Sequence, residues 1–314
     1  MATIVISEVI DPIGIERLST VGEVHYHSDL WNHPDQLFKW AGIADALIVR
    51  NQTQVNAELM RAGKNLKVIG RLGVGLDNID LETARENHIP VVTARGANAV
   101  AVAEYVFACL FHFSRNLAAI DQTVRQGIWD RMRGGSELYG KTLGLIGLGD
   151  IGQRIAFRAQ CFGMRVLAFD PWQISTHMAV MEMGVTLTTM EELLAQSDFI
   201  SVHVPLTAGT RNVVNRQAFD RMKPGVSLIN TSRGGVVDEN ALLEAVSCGR
   251  VAGAALDVRV HEPMTAHDLF RDEPRILLTP HIAGLTAEAV VRTAITVAND
   301  VVRVLSGQTP IAAV

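Results

Sequence analysis

Three charged side chains that follow late apolar runs carry most of the chemistry open to this chain. Arg233 comes after SLINTS, Glu262 lies just past AALDVRV, and His281 follows ILLTP. A histidine accepts a proton near neutral pH and can return it in the reverse direction. A carboxylate beside it orients the ring and favours its charged form. An arginine gives planar, bidentate recognition of a carboxylate and polarises the adjacent carbonyl. With a hydride acceptor, these groups meet the needs of oxidising a 2-hydroxy acid: a base for the hydroxyl proton and a cation for the carboxylate. Taken singly, each side chain has an alternative. Arg233 can end a strand and bind a helix C-terminus, Glu262 can be a solvated loop acid, and His281 after Pro280 can be a satisfied turn histidine.

The hydride acceptor is the second requirement, and KTLGLIGLGDIGQRIAFRAQCFGMRVLAFD (141–170) supplies its binding unit. An apolar strand meets Gly147, Gly149 and Gly152, an amphipathic helical pattern follows, and RVLAF delivers Asp170. Gly147 permits the tight turn, Gly149 lets the backbone approach a pyrophosphate, and Gly152 lets the helix pack on the strand. The helix N-terminus offers unpaired N–H groups and a positive dipole end to phosphates. Asp170 is placed to accept from a ribose 2′-OH and would repel a 2′-phosphate, so NAD is expected over NADP. Asp150 is unusual inside the turn. The helix dipole tolerates it, and the pyrophosphate contact is left to backbone groups.

Elements that must position these residues alternate along the chain. ATIVIS, EVHYH, ADALIVR, LKVIGR and IPVVTA read as strands, with helices between them that include 56–63 and 80–87. One long helix is expected from Asn98, as N-cap, towards Gly127. Six further strands follow, TLGLIG, RVLAFD, FISVHV, VSLINT, AGAALDV and RILLTPH, and a last helix spans 286–306. Strand–helix alternation predicts parallel sheets with right-handed crossovers. The fold class is therefore α/β, with two Rossmann-like domains, one flavodoxin-like and one doubly wound. Residues 1–97 plus 287–314 are expected to form a discontinuous substrate-binding domain, and 98–286 an NAD-binding domain inserted into it. A small ligand is expected in the cleft between them.

Composition narrows the classes. The chain has 314 residues, 48% hydrophobic, and a formal net charge of −5, with no basic block to neutralise nucleic-acid phosphates. MATIVISEV reads as a strand and not as a signal peptide, and no run of about 20 apolar residues suggests a membrane span. Cys109, Cys161 and Cys248 have no CxxC partner and are expected as buried reduced thiols in a cytoplasmic protein. No HExxH occurs among the ten histidines, so no metal is expected.

INTSRGGVVDENAL, GAALDVRVHEP and LLTPHIAGLT resemble the three signatures of the D-isomer-specific 2-hydroxyacid dehydrogenases. So do GRLGVGLDNID, HVPLT and GIWDRMRGGSELYGKTLGLIGLGDIG, and the likeness covers residues 46–286. The resemblance implies Arg233 as carboxylate binder, His281 as acid/base and Glu262 as its partner. It also implies that backbone amides around Val74 and Gly75, with Asn98, contact the substrate. Around NAD it implies Asp150, Ile151, Val204, Pro205, Thr207, Thr231, Asp257, His281 and Gly284 beside the glycines and Asp170. The formate dehydrogenases that resemble this fold carry an amide in place of the acid at 262, so formate oxidation is not expected.

Within the family the chain resembles the 3-phosphoglycerate dehydrogenase-like branch, where arginines at the positions of Arg50 and Arg71 contact a distal anion. That implies a three-carbon substrate with a second anionic group, 3-phosphoglycerate-like or sulfolactate-like. RNQT at 50–53 departs from the usual arginine-serine pair, and Arg95 and Arg259 add two cations expected near the cleft. The alternatives are a hydroxypyruvate or glyoxylate reductase and, in a different class, an NAD-sensing corepressor-like binding protein. The chain ends soon after its last helix, so appended regulatory domains are not expected. The helix from Asn98 and the Trp129 arm resemble the region through which the family dimerises, which implies a homodimer.

Overall fold

Short, fully apolar runs pack into parallel sheets because each strand is covered on both faces. A computed structural model describes residues 1–314 apart from Ser175 and His177. The chain divides into two compact units, Met1–Asn98 with Leu285–Val314, and Ala99–Gly284.

The first unit runs β1 (Ala2–Ile6), α1 (Pro12–Leu18), β2 (Gly22–Tyr26), α2 (Pro34–Ala41), β3 (Ala46–Val49), α3 (Ala57–Ala62), β4 (Val68–Arg71), α4 (Leu81–Glu86) and β5 (Val91–Thr93). Its sheet has the order β2-β1-β3-β4-β5, with every pair parallel. This is the flavodoxin-like order, and it points every strand's C-terminal end to one edge. Asn56 and Asp80 cap α3 and α4 by accepting from Leu59 and Thr83 N–H. Two apolar clusters, around Leu47 and Ile69 on one face and around Ile48 and Val68 on the other, form its core.

In the second unit come α5 (Ala99–Arg115), α6 (Leu117–Arg125), β6 (Thr142–Ile146), α7 (Asp150–Cys161), β7 (Arg165–Phe169), α8 (Met178–Met181), β8 (Thr186–Leu187), α9 (Met190–Gln196), β9 (Phe199–Val202), α10 (Arg216–Arg221), β10 (Val226–Asn230), α11 (Glu239–Ser247), β11 (Val251–Leu256) and β12 (Ile276–Leu278). The sheet order is β12-β11-β10-β9-β6-β7-β8, all parallel, which is a doubly wound nucleotide-binding sheet. The last helix, α12 (Ala287–Leu305), belongs to the first unit and buries Ala294, Val297, Ala298 and Val301 in its core. Asp300 on this helix accepts from Ile311 and Ala312 N–H in the segment that follows, and Ala313 bridges Val92 antiparallel, so the β5 edge is covered.

Three expectations need correction. The long helix after Asn98 is two helices, broken at Asn116, whose φ of +44° is a left-handed conformation that asparagine tolerates. The second sheet has seven strands and not six, because the two-residue β8 has too little apolar sequence to register as a strand. Only Cys109 is a buried thiol. Cys161 and Cys248 sit at the ends of α7 and α11, where the last turn faces solvent. Among the described residues, no helix is long and apolar enough to cross a membrane.

Candidate active site

Because β10, β11 and β12 are neighbours in one parallel sheet, the segments that follow them emerge side by side. Those segments carry Arg233, Glu262 and His281. His281 Nδ1 lies 2.9 Å from Glu262 Oε2, and Glu262 Oε1 accepts the Arg259 backbone N–H at 2.8 Å. Both side chains keep an open side, 46% exposed for His281 and 39% for Glu262. Burial pushes the Glu262 carboxyl up, but hydrogen bonds from His281 and Arg259 N–H, with the charges of His281 and Arg233, outweigh it. The net result holds Glu262 below the usual carboxylate range. An ionised Glu262 accepts from Nδ1–H, which leaves Nε2 of His281 as the basic nitrogen. The Arg233 backbone is fixed by Asn230 Nδ2 donating to its carbonyl at 2.9 Å.

The backbone of His281 has φ +57°, a left-handed conformation that carries a steric cost for a residue of this kind. Asp257 holds it there. That carboxylate is 1% exposed and accepts from Ile282 N–H at 2.8 Å, Ala283 N–H at 2.8 Å and the Thr279 hydroxyl at 2.7 Å. Thr279 spends its proton on Asp257, so Tyr105 donates to the Thr279 oxygen at 2.5 Å. Burial pushes the Tyr105 phenol up and the Cys109 thiol beside it up to about 12, which keeps both protonated. The family resemblance implies a cofactor contact at Asp257. The hydrogen bonds its carboxylate makes grip the turn that bears His281. The sequence pattern gave no hint of Thr279 or Tyr105, because α5 and β12 are far apart along the chain.

The glycine turn after β6 has the geometry a dinucleotide needs. Gly147 takes φ +99°, and a Cβ there would lie 2.6 Å from the His203 carbonyl oxygen. A Cβ on Gly152 would meet the Gly147 oxygen at 2.4 Å, whereas Gly149 has nothing within 4 Å and leaves its backbone open. Asp150 and Ile151 begin α7, whose first N–H groups lack helical partners. Asp170, just past β7, accepts once on each oxygen, from Leu148 N–H at 2.8 Å and Trp172 N–H at 2.9 Å. Each oxygen keeps a second acceptor site for a ribose hydroxyl. Thr231 Oγ1, past β10, is buried without a hydrogen-bond partner. An open cradle, a helix N-terminus and an orphaned hydroxyl fit NAD. Val204 and Pro205 follow β9, Gly284 follows Ala283, and the Thr207 hydroxyl contacts that of Thr210 at 3.0 Å.

His203, between β9 and Val204, gives this region a pH dependence. Its Nε2 pairs with Ser201 Oγ at 2.7 Å, while Nδ1 is buried without a partner. Burial pushes the imidazole from 6.5 down to about 3. Below pH 6.5 the unfolded chain takes up a proton that the folded chain refuses, so stability falls as the pH drops from about 6.5 towards 3. Urea unfolding should show the wild type losing about 2 kcal/mol more than His203→Gln between pH 7 and pH 5. Equal losses would contradict a neutral, buried His203.

In the first unit, Val49 pairs with Arg71 across β3 and β4, so Arg50 and Arg71 sit at adjacent strand ends. The Arg71 guanidinium lies over Gly73, where a Cβ would be 1.5 Å from Nη1 and φ is +148°. The backbone N–H groups of Val74 and Gly75 donate to nothing among the described residues, and the Arg50 guanidinium makes no hydrogen bond or ion pair among them. Asn98 immediately precedes α5. Arg259 does not join these cations. Its side chain is 8% exposed, pairs with Glu239 at 3.0 Å and Asp268 at 2.8 Å, and lies 4.6 Å from the Phe270 ring centre. Both partners lie in its own unit and consume its charge, so the expected cation at 259 is a structural one.

The topology and glycine turn of residues 99–284 define a dinucleotide-binding domain of the dehydrogenase type. Residues 107–283 match the NAD-binding domain of the D-isomer specific 2-hydroxyacid dehydrogenases, and the chain belongs to that family. It is 43% identical over 264 residues to a D-3-phosphoglycerate dehydrogenase of Archaeoglobus fulgidus, covering 84% of this chain and 50% of that protein. It is 42% identical over 276 residues to a hydroxypyruvate reductase of Thermotoga maritima, covering 86% and 88%. A D-lactate dehydrogenase of Aquifex aeolicus, solved with NAD and lactic acid, superposes with TM-score 0.85 at 30% identity over 97% of this chain and 96% of that one. The chain thus spans about half the length of the phosphoglycerate dehydrogenase it matches.

Proposed function

We propose that the chain is an NAD-dependent oxidoreductase that interconverts a small anionic 2-hydroxy acid and its 2-oxo acid. The observation that carries this reading is the 2.9 Å pair of His281 Nδ1 and Glu262 Oε2, open on one side, in the same parallel sheet whose β6 leads into a dinucleotide-type turn. In the oxidative direction His281 Nε2 takes the substrate hydroxyl proton as the C2–H bond breaks, and Glu262 holds the ring and offsets the charge that forms on it. Arg233 pairs with the substrate carboxylate and polarises the C2 oxygen. NAD, when bound, supplies the hydride acceptor. In reduction the same nitrogen returns the proton to the carbonyl oxygen. Gly147, Gly149 and Gly152 with Asp170 would hold the dinucleotide, and the N–H groups of Val74 and Gly75 would add donors for the carboxylate.

The substrate we infer is a three-carbon acid with a second anionic group, 3-phosphoglycerate-like or sulfolactate-like. The unpaired Arg50 guanidinium beside Arg71 supports it. NADH consumption with phosphohydroxypyruvate, sulfopyruvate, hydroxypyruvate and glyoxylate tests it. The highest kcat/KM is expected for one of the first two, and a preference for hydroxypyruvate or glyoxylate would move the reading to a small oxo-acid reductase.

We also read the chain as a cytoplasmic homodimer. Its three free thiols suit a reducing compartment. Helix α6 buries no residue, and Leu117, Ile128, Trp129 (78% exposed) and Met132 (92% exposed) project from it and the segment after it. A second copy of the chain is the occupant this face would take. Sedimentation should give a dimer for the wild type and a monomer for Trp129→Asp/Met132→Asp. A wild-type monomer would contradict the assignment.

A further inference from the structure

A buried acid lies under the loop that carries Arg50, and the mechanism above does not use it. Glu8 follows β1, is 4% exposed, and turns its carboxylate into the 50–53 loop at the end of β3. Oε1 accepts from Arg50 N–H at 2.8 Å and Thr53 N–H at 3.0 Å. Oε2 accepts from Asn51 N–H at 3.2 Å and Gln52 N–H at 3.0 Å. Successive backbone N–H groups converging on one point form an anion-binding nest. Here the chain's own carboxylate fills it.

The rest of the loop is fixed to match. Asn78 Nδ2 donates to the Thr53 carbonyl at 2.7 Å and the Arg50 carbonyl at 3.3 Å. The Thr53 hydroxyl meets Ser7 Oγ at 2.8 Å, and Ser7 Oγ donates to the Ile48 carbonyl at 3.2 Å. With all four loop N–H groups taken by Glu8, the Arg50 guanidinium is the loop's cationic donor, and it makes no hydrogen bond or ion pair among the described residues. A second substrate anion that reached this loop would find no free backbone N–H, and the Arg50 fork would be the one positive charge the loop offers it.

Resting on the reading of a doubly anionic substrate, we infer that Glu8 is a positioning residue for substrate choice. It occupies the 50–53 amide nest itself, so the distal anion is recognised by arginine side chains, and it holds Arg50 where that recognition occurs. Glu8 touches neither substrate nor cofactor. Its effect runs through the loop backbone, so it should alter discrimination between substrates more than turnover.

The test has two readouts. The first is the ratio of kcat/KM for the better of phosphohydroxypyruvate and sulfopyruvate to kcat/KM for glyoxylate. Glu8→Gln places an amide NH₂ against two of the four N–H donors and should lower that ratio at least tenfold. Arg50→Ala should lower it by a similar factor, and the double variant should fall no further, since both act on one contact. The second readout is thermal stability in Glu8→Ala, where the emptied nest should take up acetate or formate. A saturable rise in Tm with added acetate is expected in Glu8→Ala and not in the wild type.

Both results are required. A ratio that survives Glu8→Gln but collapses in Arg50→Ala overturns this inference and leaves the doubly anionic substrate standing. Additive losses, or a Tm that acetate moves equally or not at all in the two proteins, overturn it as well. A wild type that prefers neither phosphohydroxypyruvate nor sulfopyruvate over glyoxylate, with Arg50→Ala unchanged, fails the parent reading and this inference with it.

Discussion

His281→Gln should lower kcat by about 10²–10⁴-fold while leaving NADH affinity near that of the wild type, as loss of a general acid/base does. The side chain points its Nδ1 at Glu262 and leaves the other nitrogen for the substrate, so glutamine can fill the space but cannot carry the proton. Glu262→Gln should cost less, roughly 10²-fold, because His281 remains and loses only the carboxylate that orients it and balances its charge. Steady-state kinetics with NADH binding followed by fluorescence separates the two effects. If the glutamine at 281 left kcat within a factor of a few, proton transfer would have to be assigned elsewhere.

The second large effect is on stability. Arg259→Ala removes the common partner of Glu239 and Asp268, whose side chains are 15% and 9% exposed, and leaves two nearly buried carboxylates facing one another. Breaking a buried pair by deleting one member costs about 3–5 kcal/mol. That corresponds to a fall in Tm of roughly 6–20 °C for a unit of this size. The ratio of KM values for singly and doubly anionic oxo acids should stay where the wild type has it. An intact Tm with a raised KM for doubly anionic substrates alone would return Arg259 to the role its charge first suggested.

Arg259 shows why some of the site was readable from the chain and some was not. The glycine turn, Asp170, Arg233, Glu262 and His281 stand out because local backbone demands and strand-end positions constrain them within short windows. A cation, by contrast, is free or spent according to partners far along the chain. Glu239 lies 20 residues before Arg259 and Asp268 nine residues after it, with nothing in either neighbourhood to mark them as its ligands. Glu8 escaped notice for the same reason, since its four donors lie 42 to 45 residues away. The strand alternation was legible because each buried strand is a continuous apolar run. The break at Asn116 was not, because the apolar spacing of α5 carries on into α6 and only the backbone reveals the left-handed residue.

Hydride transfer itself is the central claim, and one labelling experiment reaches it directly. The protein is incubated with NAD and D-2-hydroxy acids deuterated at C2, 3-phosphoglycerate and sulfolactate among them, and the reduced nicotinamide is read by NMR. Deuterium is expected on the reduced ring, one label for each oxo acid formed, with His281→Gln slowing its appearance by the same factor as kcat. Tight NAD binding with no label from any hydroxy acid would contradict it and identify the chain as an NAD-responsive binding protein.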